Sequence, residues 1–196
     1  MNLTENLMNS AQMVEGTCFD SLFRTETARS MSLAQYVELV KSNQSAVLTA
    51  RLRHLLAAGK TEEAATCKKQ LPLFVVGGVM QGGRRLEHLV RYSRCICFDI
   101  DDCPLSPVEV IRQAQALPYV KAGHISPSGR GVKLFVCVDS DLRRHTLAFE
   151  VVRRRLEADL PGMTVDISGK DANRGCFAGH DPDAFYVEQC VVLSIP

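Results

Sequence analysis

The alternation of apolar and polar residues is clearest over residues 94–102, RCICFDIDD. As a strand, this stretch places Ile96, Phe98 and Ile100 on one face, because side chains alternate at period two. The opposite face carries Cys95, Cys97, Asp99 and Asp101. The pattern therefore predicts a strand with one buried face whose other face ends in two carboxylates.

The sequence after this strand predicts a regular order of elements. A capping box with proline at the first helical position, Ser106-Pro107-Val108-Glu109, begins a helix. Two strands follow at 119–126 and 131–138, then a helix that ends at Pro161-Gly162 and an extended segment at 164–167. This β-α-β-β-α-β order is typical of a ferredoxin-like or RRM-like α+β core. In that topology the first and third strands are neighbours, and one sheet face stays open.

The preceding sequence predicts a smaller module. Residues 1–30 show no sustained period, and we expect a loose lead-in there. Residues 31–93 predict three helices, the second ended by Gly59 and the third capped by Thr61, followed by a strand in LPLFVVGGVM. We therefore expect an N-terminal module over 31–93 and a core over 94–196, in one compact domain.

Composition and charge limit the partners and the location that we expect for this protein. The 196 residues have a formal net charge of +1, so a nucleic-acid partner would need a local basic patch. Arg84, Arg85 and Arg91, which follow a glycine pair, are candidates for such a patch; an ordinary solvated face is the alternative. The eight cysteines lack C-x-x-C spacing and predict reduced thiols. Without a leader or a run of about 20 apolar residues, we expect a cytoplasmic protein with no membrane partner.

The predicted topology brings distant polar residues together. Asp99, Asp101 and Lys133 would share the open face, and alternation in TVDI would turn Asp166 towards the same place. Three carboxylates suit hard divalent cations such as Mg²⁺ or Mn²⁺. The alternative is that the acids only close a strand and open a loop.

Three motifs in this order resemble those of the archaeo-eukaryotic primase superfamily, the primase-polymerases. They are FDID, SPSGRGVKLFV and VDISGKDANRGCFAGHDP. The closer likeness is to the VirE N-terminal-type domain of bacterial mobile elements. LPLFVVGGVMQGG and NRGCFAGHDPD also look like that family, so the resemblance covers residues 32–187.

The resemblance implies roles by position. Asp99, Asp101 and Asp166 would be the catalytic metal ligands for Mg²⁺ or Mn²⁺. The nucleotide-binding residues would be Ser126, Ser128, Gly129, Arg130, Gly131, Lys133 and Arg174. Lys133 stands where the superfamily commonly has histidine, although a lysine can meet a triphosphate as a point charge. His180, Asp181 and Phe135 would line the cleft, with an ordinary HDPD turn as the alternative for the first two.

The resulting hypothesis is metal-dependent nucleotidyl transfer from NTP or dNTP to a nucleic-acid 3′-hydroxyl in the replication of a mobile element. The implied partners are nucleotide triphosphates, single-stranded DNA or a primer-template, and a helicase or fused domain. Two alternatives stay open. One is a non-catalytic nucleic-acid-binding module that uses Phe135 and the arginines, and the other is a metal-dependent nuclease.

Overall fold

The computed structural model describes residues 13–101 and 103–196. Within these ranges the fold is mixed α/β, with five α-helices and three mostly antiparallel sheets. The strands are β1 (Glu15–Phe19), β2 (Arg29–Ser32), β3 (Leu73–Val75), β4 (Gly78–Met80), β5 (Leu89–Tyr92), β6 (Cys95–Ile100), β7 (Val120–Ile125), β8 (Val132–Asp139), β9 (Cys176–Phe177), β10 (Phe185–Tyr186) and β11 (Leu193–Ser194). The helices are α1 (Leu33–Lys41), α2 (Ala46–Ala57), α3 (Thr61–Lys68), α4 (Pro107–Gln115) and α5 (His145–Asp159).

The main sheet is centred on β8. Strand β8 pairs antiparallel with β6 on one side and with β7 on the other, so the first and third predicted strands are neighbours as expected. Strand β10 extends the sheet beyond β7, and β11 pairs parallel with the end of β8. The predicted extended segment at 164–167 forms only one bridge, between Ile100 and Val165, before a 3-10 turn at Ile167–Gly169.

Helices α4 and α5 cover the predicted apolar face of β6. The ring of Phe98 stacks on that of Phe149 in α5, with centroids 5.1 Å apart. The predicted helix start is confirmed, because the Ser106 hydroxyl accepts a hydrogen bond from the Glu109 N–H at 3.3 Å and Pro107 is the first residue of α4. Local capping and one apolar stripe therefore explain the layer of helices on this face of the sheet.

The expectation of an open second face is wrong. Helix α1 packs against that face, and the Tyr36 ring lies against both Phe74 of β3 (4.4 Å between centroids) and Phe135 of β8 (5.7 Å). Phe135 is 0% exposed. The physical reason is that the apolar face of α1 has to be buried, and the Cys95–Phe135 side of the main sheet buries it.

The N-terminal module contains more sheet than the sequence pattern predicts. Strands β1 and β2 belong to a four-stranded sheet of order β2-β1-β3-β9, so a loose lead-in is wrong for this part of residues 1–30. Residues 1–12 of that prediction lie outside the described residues. The three predicted helices are confirmed as α1, α2 and α3, although Thr61 is the first residue of α3 and not its cap.

No helix in the described part of the chain has both the length and the apolar content needed to cross a membrane.

Candidate functional site

Asp99 and Lys133 form a buried ion pair at the centre of the site. They lie opposite each other on β6 and β8, and the Lys133 ammonium donates a hydrogen bond to Asp99 Oδ1. Their side chains are only 16% and 8% exposed, respectively. Burial alone would lower the pKa of Lys133, but the Asp99 carboxylate together with Cys97 and Cys176 outweighs it, and the pKa is raised. Lys133 is therefore a fixed positive charge.

Asp101 lies just beyond the end of β6. Partial desolvation of its carboxyl group raises its pKa, and the negative charges of Asp99 and Asp166 raise it further. The hairpin between β7 and β8 packs directly against it. A Cβ on Gly131 would lie 2.3 Å from the Ile100 carbonyl oxygen and 2.8 Å from Asp101 Oδ1. Glycine at 131 is therefore needed for the hairpin to approach the acidic strand end.

Asp166 is positioned beside β6 by the backbone. Its N–H donates to the Asp99 carbonyl oxygen at 2.8 Å. Its carboxylate accepts hydrogen bonds from both the N–H and the hydroxyl of Ser168, and these bonds lower its pKa. Arg174 donates to the same Ser168 hydroxyl at 3.0 Å. Both Asp166 oxygens are thus occupied by its own turn.

The S-P-S-G-R-G hairpin has the expected tight shape. Gly129 has a φ of +76°, and its N–H donates to the Ser126 carbonyl oxygen at 2.9 Å. The Ser126 hydroxyl lies 2.9 Å from the Ser128 hydroxyl and accepts from the Gly131 N–H at 3.3 Å. Arg130 is exposed at the tip. Since the hairpin satisfies several of its own N–H groups and the two serine hydroxyls bond each other, the exposed Arg130 side chain is the group most available to a ligand.

Two basic residues at the site were missed by the sequence analysis. Lys68, at the end of α3, has its pKa lowered by burial and by the positive charges of Lys133 and Arg174, against the opposing charges of Asp101 and Asp99. Arg53 of α2 donates to the Pro127 carbonyl oxygen of the hairpin at 3.2 Å. Helical spacing places both residues on helices but gives no signal for what those helices contact.

The three predicted cleft residues are held by contacts of their own. Phe135 is in the core and is not accessible to a nucleobase. Asp181 is 5% exposed, and its carboxylate accepts from the Ile125 N–H at 2.7 Å, while the His180 N–H donates to the Thr49 hydroxyl at 2.9 Å. His180 and Asp181 therefore join β7 to the helical module.

The three candidate arginines lie on the arm formed by β4 and β5. Arg91 pairs with Glu15, and Arg85 lies 3.8 Å from Glu87. The Arg84 carbonyl oxygen accepts from the Asn173 side chain at 3.1 Å, so the arm contacts the loop that carries Arg174. The arginine side chains themselves form no common patch with the hairpin in these contacts.

The side chains present do not fit the expected metal site. Across residues 13–101 and 103–196, no group of three or more His, Cys, Asp or Glu residues is placed to hold a metal ion. The contacts differ from those of an open metal site: Asp99 is paired with Lys133, and each oxygen of Asp166 accepts a hydrogen bond from Ser168. The Mg²⁺ or Mn²⁺ site expected from three carboxylates is therefore not formed in this arrangement.

Comparison with known proteins identifies the family. The model for the BT4734-like, N-terminal domain matches residues 66–186, more than half of the chain, and the chain therefore belongs to this family. The matched region includes the acidic strand, the hairpin and Asp166. The VirE-type assignment expected from the motifs is not confirmed by this match.

No curated protein matches the chain. Among solved structures, the chain is similar to the polymerase domain of Mycobacterium tuberculosis ligase D in complex with DNA, at 17% identity and a TM-score of 0.37. The match covers 59% of this chain and 49% of that one, so it spans about half the length of that structure. Similarity at this level does not assign the fold.

Proposed function

We propose that the chain is a primase-polymerase-like domain that binds the phosphates of nucleotides and of single-stranded nucleic acid beside the glycine hairpin. The observation that carries this proposal is the charge that remains after Asp99 and Lys133 neutralise each other. Among the described residues, Asp101 and Asp166 are then the remaining carboxylates of the site, and Lys68, Arg130 and Arg174 outnumber them by one. We call these three basic residues, with Gly131, the phosphate cleft.

The lowered pKa of Lys68 supports an anion site. Its ammonium is partly buried and stands near two other cations, Lys133 and Arg174, whose repulsion Asp101 and Asp99 offset without raising the pKa to its ordinary value; an incoming phosphate would add negative charge that compensates for the lost hydration. Phosphate contacts of this kind supply most of the sequence-independent affinity for nucleic acid.

The class of domain is supported by the order of motifs and strands. The chain carries FDID, S-P-S-G-R-G and VDIS in the order typical of primase-polymerases, and β8 lies between β6 and β7. A role in replication of a mobile element, with a helicase or fused domain as partner and a cytoplasmic location, is part of this proposal.

The test measures binding of a labelled single-stranded oligonucleotide and of a nucleotide triphosphate in EDTA at several salt concentrations. We expect affinity to fall as salt rises, and Lys68→Met to weaken binding by about tenfold, the loss of one partly desolvated charge contact. Lys60→Met is the matched control, because Lys60 precedes α3, is 55% exposed and pairs with Glu63. Equal affinities for the two variants, or no binding at low salt, would refute the proposal.

Metal-dependent nucleotidyl transfer is the second candidate. It is favoured by the position of Asp99 and Asp101 at the end of β6, where the hairpin contacts Asp101 at Gly131. This function would require Asp99 to release Lys133 and Asp166 to release Ser168. Template-dependent primer extension with Mn²⁺ that is lost in Asp101→Asn would establish it. Degradation of the oligonucleotide without nucleotides would instead indicate a nuclease.

A further inference from the structure

We propose that Lys133 takes the place of a divalent cation at Asp99, so that Asp99 is not a metal ligand in this protein. The inference deepens the proposed function and rests on it for the identity of the cleft. It says that one carboxylate of the acidic strand is neutralised by the chain itself, and that phosphates bind beside it without a metal ion at Asp99.

The first support is the placement of the pair. Asp99 and Lys133 are directly opposite in the register of β6 and β8, and Lys133 is also opposite His124 of β7. A residue on the central strand of three is fixed by hydrogen bonds on both sides. With a side chain only 8% exposed, Lys133 is almost entirely shielded from solvent.

The second support is the local charge. A divalent cation at Asp99 would stand beside the Lys133 ammonium; further out, the positive charges of Lys68 and Arg174 are opposed by Asp101 and Asp166. Like charges at contact distance repel strongly where water is scarce. Displacing Lys133 is no easier, because a buried charge that loses its partner keeps its desolvation penalty. The ion pair therefore excludes a metal ion from Asp99.

The third support is the state of the other two acids. Asp166 is held by Ser168, which leaves Asp101 as the exposed carboxylate at the strand end among the residues that the structure describes. Within 13–101 and 103–196, this one remaining carboxylate is a weak ligand set, since divalent ions in proteins are usually held by several oxygens. The chain should therefore bind Mn²⁺ weakly as long as Lys133 is present.

The experiment titrates the full chain with Mn²⁺ alone and follows free Mn²⁺ by electron paramagnetic resonance. Lys133→Met should bind Mn²⁺ more than about tenfold tighter than the wild type, because one contact repulsion exceeds the free energy of a tenfold change in affinity. Adding Asp99→Asn to that variant should remove the gain. Lys68→Met is the control, because it removes a neighbouring cation but leaves the Asp99–Lys133 pair intact. We expect a smaller gain in Mn²⁺ affinity from this substitution, and that gain should not depend on Asp99.

Unchanged Mn²⁺ affinity in Lys133→Met, or an equal gain in Lys68→Met, would overturn the proposal. If Lys133→Met does not fold, the double variant Asp99→Asn, Lys133→Met still decides, because it leaves no buried charge unpaired. The proposal expects this double variant to bind Mn²⁺ as the wild type does. A clear loss would show that Asp99 is a metal ligand after all.

The Mn²⁺ titration tests the role of Lys133 separately from the proposed function. Phosphate binding is measured in EDTA, whereas the role of Lys133 is measured with Mn²⁺ and no nucleotide. Failure of oligonucleotide and nucleotide binding with the expected Mn²⁺ results would refute the proposed function and leave the role of Lys133 standing.

Discussion

Among single residues, Lys133 has the largest effect on how the site is interpreted. A carboxylate pair at a strand end is typical of metal sites, but the cross-strand partner of Asp99 is a cation. Each of the two buried charges has lost its hydration, so either one without the other would destabilise the fold. The same local sequence with a neutral residue at 133 would leave Asp99 available for a metal ion.

The buried pair predicts a large difference between two substitutions of the same kind. Asp99→Asn should destabilise the fold by about 3–5 kcal/mol, since it leaves the Lys133 ammonium unpaired. Asp139→Asn removes the partner of Arg94 at 3.7 Å, where the side chains are 48% and 52% exposed, and should cost less than about 1 kcal/mol. Urea unfolding of both variants measures the difference, and similar costs would contradict the burial of the first pair.

The two flanking acids predict opposite pH effects. The pKa of Asp101 is raised from 3.8, so its charge is unfavourable in the folded state. Asp101→Asn should therefore stabilise the protein at neutral pH, and the gain should vanish as the pH falls through the raised pKa to about 3. The pKa of Asp166 is lowered from 3.8.

Asp166→Asn should accordingly destabilise the protein at neutral pH. This effect should also fade on acidification, because Asp166 contributes stability only while it is ionised in the folded state. Urea unfolding of both variants at neutral pH and at about pH 3 tests the two signs. Effects of the same sign would contradict the assigned environments.

At the scale of elements, the β7–β8 hairpin is placed by contacts at both ends. Its tip is held by Arg53 of α2, and its return to β8 passes within contact of Asp101 at Gly131. The hairpin sequence predicts the turn itself, because glycine at 129 allows the positive φ. The approach to Asp101 depends on β6 and β8 being neighbours.

Gly131→Ala should destabilise the fold by about 1–3 kcal/mol, the usual cost of forcing a methyl group into a packed place. Its Cβ would meet the backbone oxygen of Ile100, which cannot move aside without disturbing β6. Gly169→Ala is the control, because its Cβ would meet nothing closer than 3.5 Å, and it should change stability by less than about 0.5 kcal/mol. Thermal or urea unfolding compares them, and equal effects would contradict the close approach.

At the scale of the whole molecule, the N-terminal module forms part of the core of the main sheet. Tyr36 of α1 lies 2.9 Å from His124 Nε2 and 3.2 Å from Cys176 Sγ, two residues that are far from it along the chain. Lys68 enters the phosphate cleft from the same module. The predicted boundary at residue 94 therefore separates sequence patterns and does not separate two independent cores.

A fragment of residues 94–196 should fail to form a native monomer. It would expose Ala122, Phe135 and the rest of the face that α1 and β3 cover. We expect it to bind an apolar dye and to give poorly dispersed amide resonances. A chain of residues 13–196 keeps every contact described above and should give dispersed resonances. A well-dispersed spectrum from the short fragment would show that the core folds alone.

The sequence by itself determined the features that depend on neighbours along the chain. Alternation specifies β6 and β8, and the cap at Ser106 begins α4, because side-chain direction and capping are local. The order of motifs also placed Asp99, Asp101, Asp166 and the hairpin in one region, since the strand order follows from the β-α-β-β-α-β pattern.

Only the tertiary structure decided which faces are covered and which charges meet. The covering of Phe135 by α1 and the position of Lys68 at the cleft depend on contacts that form only when the whole chain packs. Alternation could place Lys133 beside Asp99 but could not say that water is excluded there. Since burial turns that proximity into a fixed ion pair, the chemistry of the acidic strand is determined by the fold.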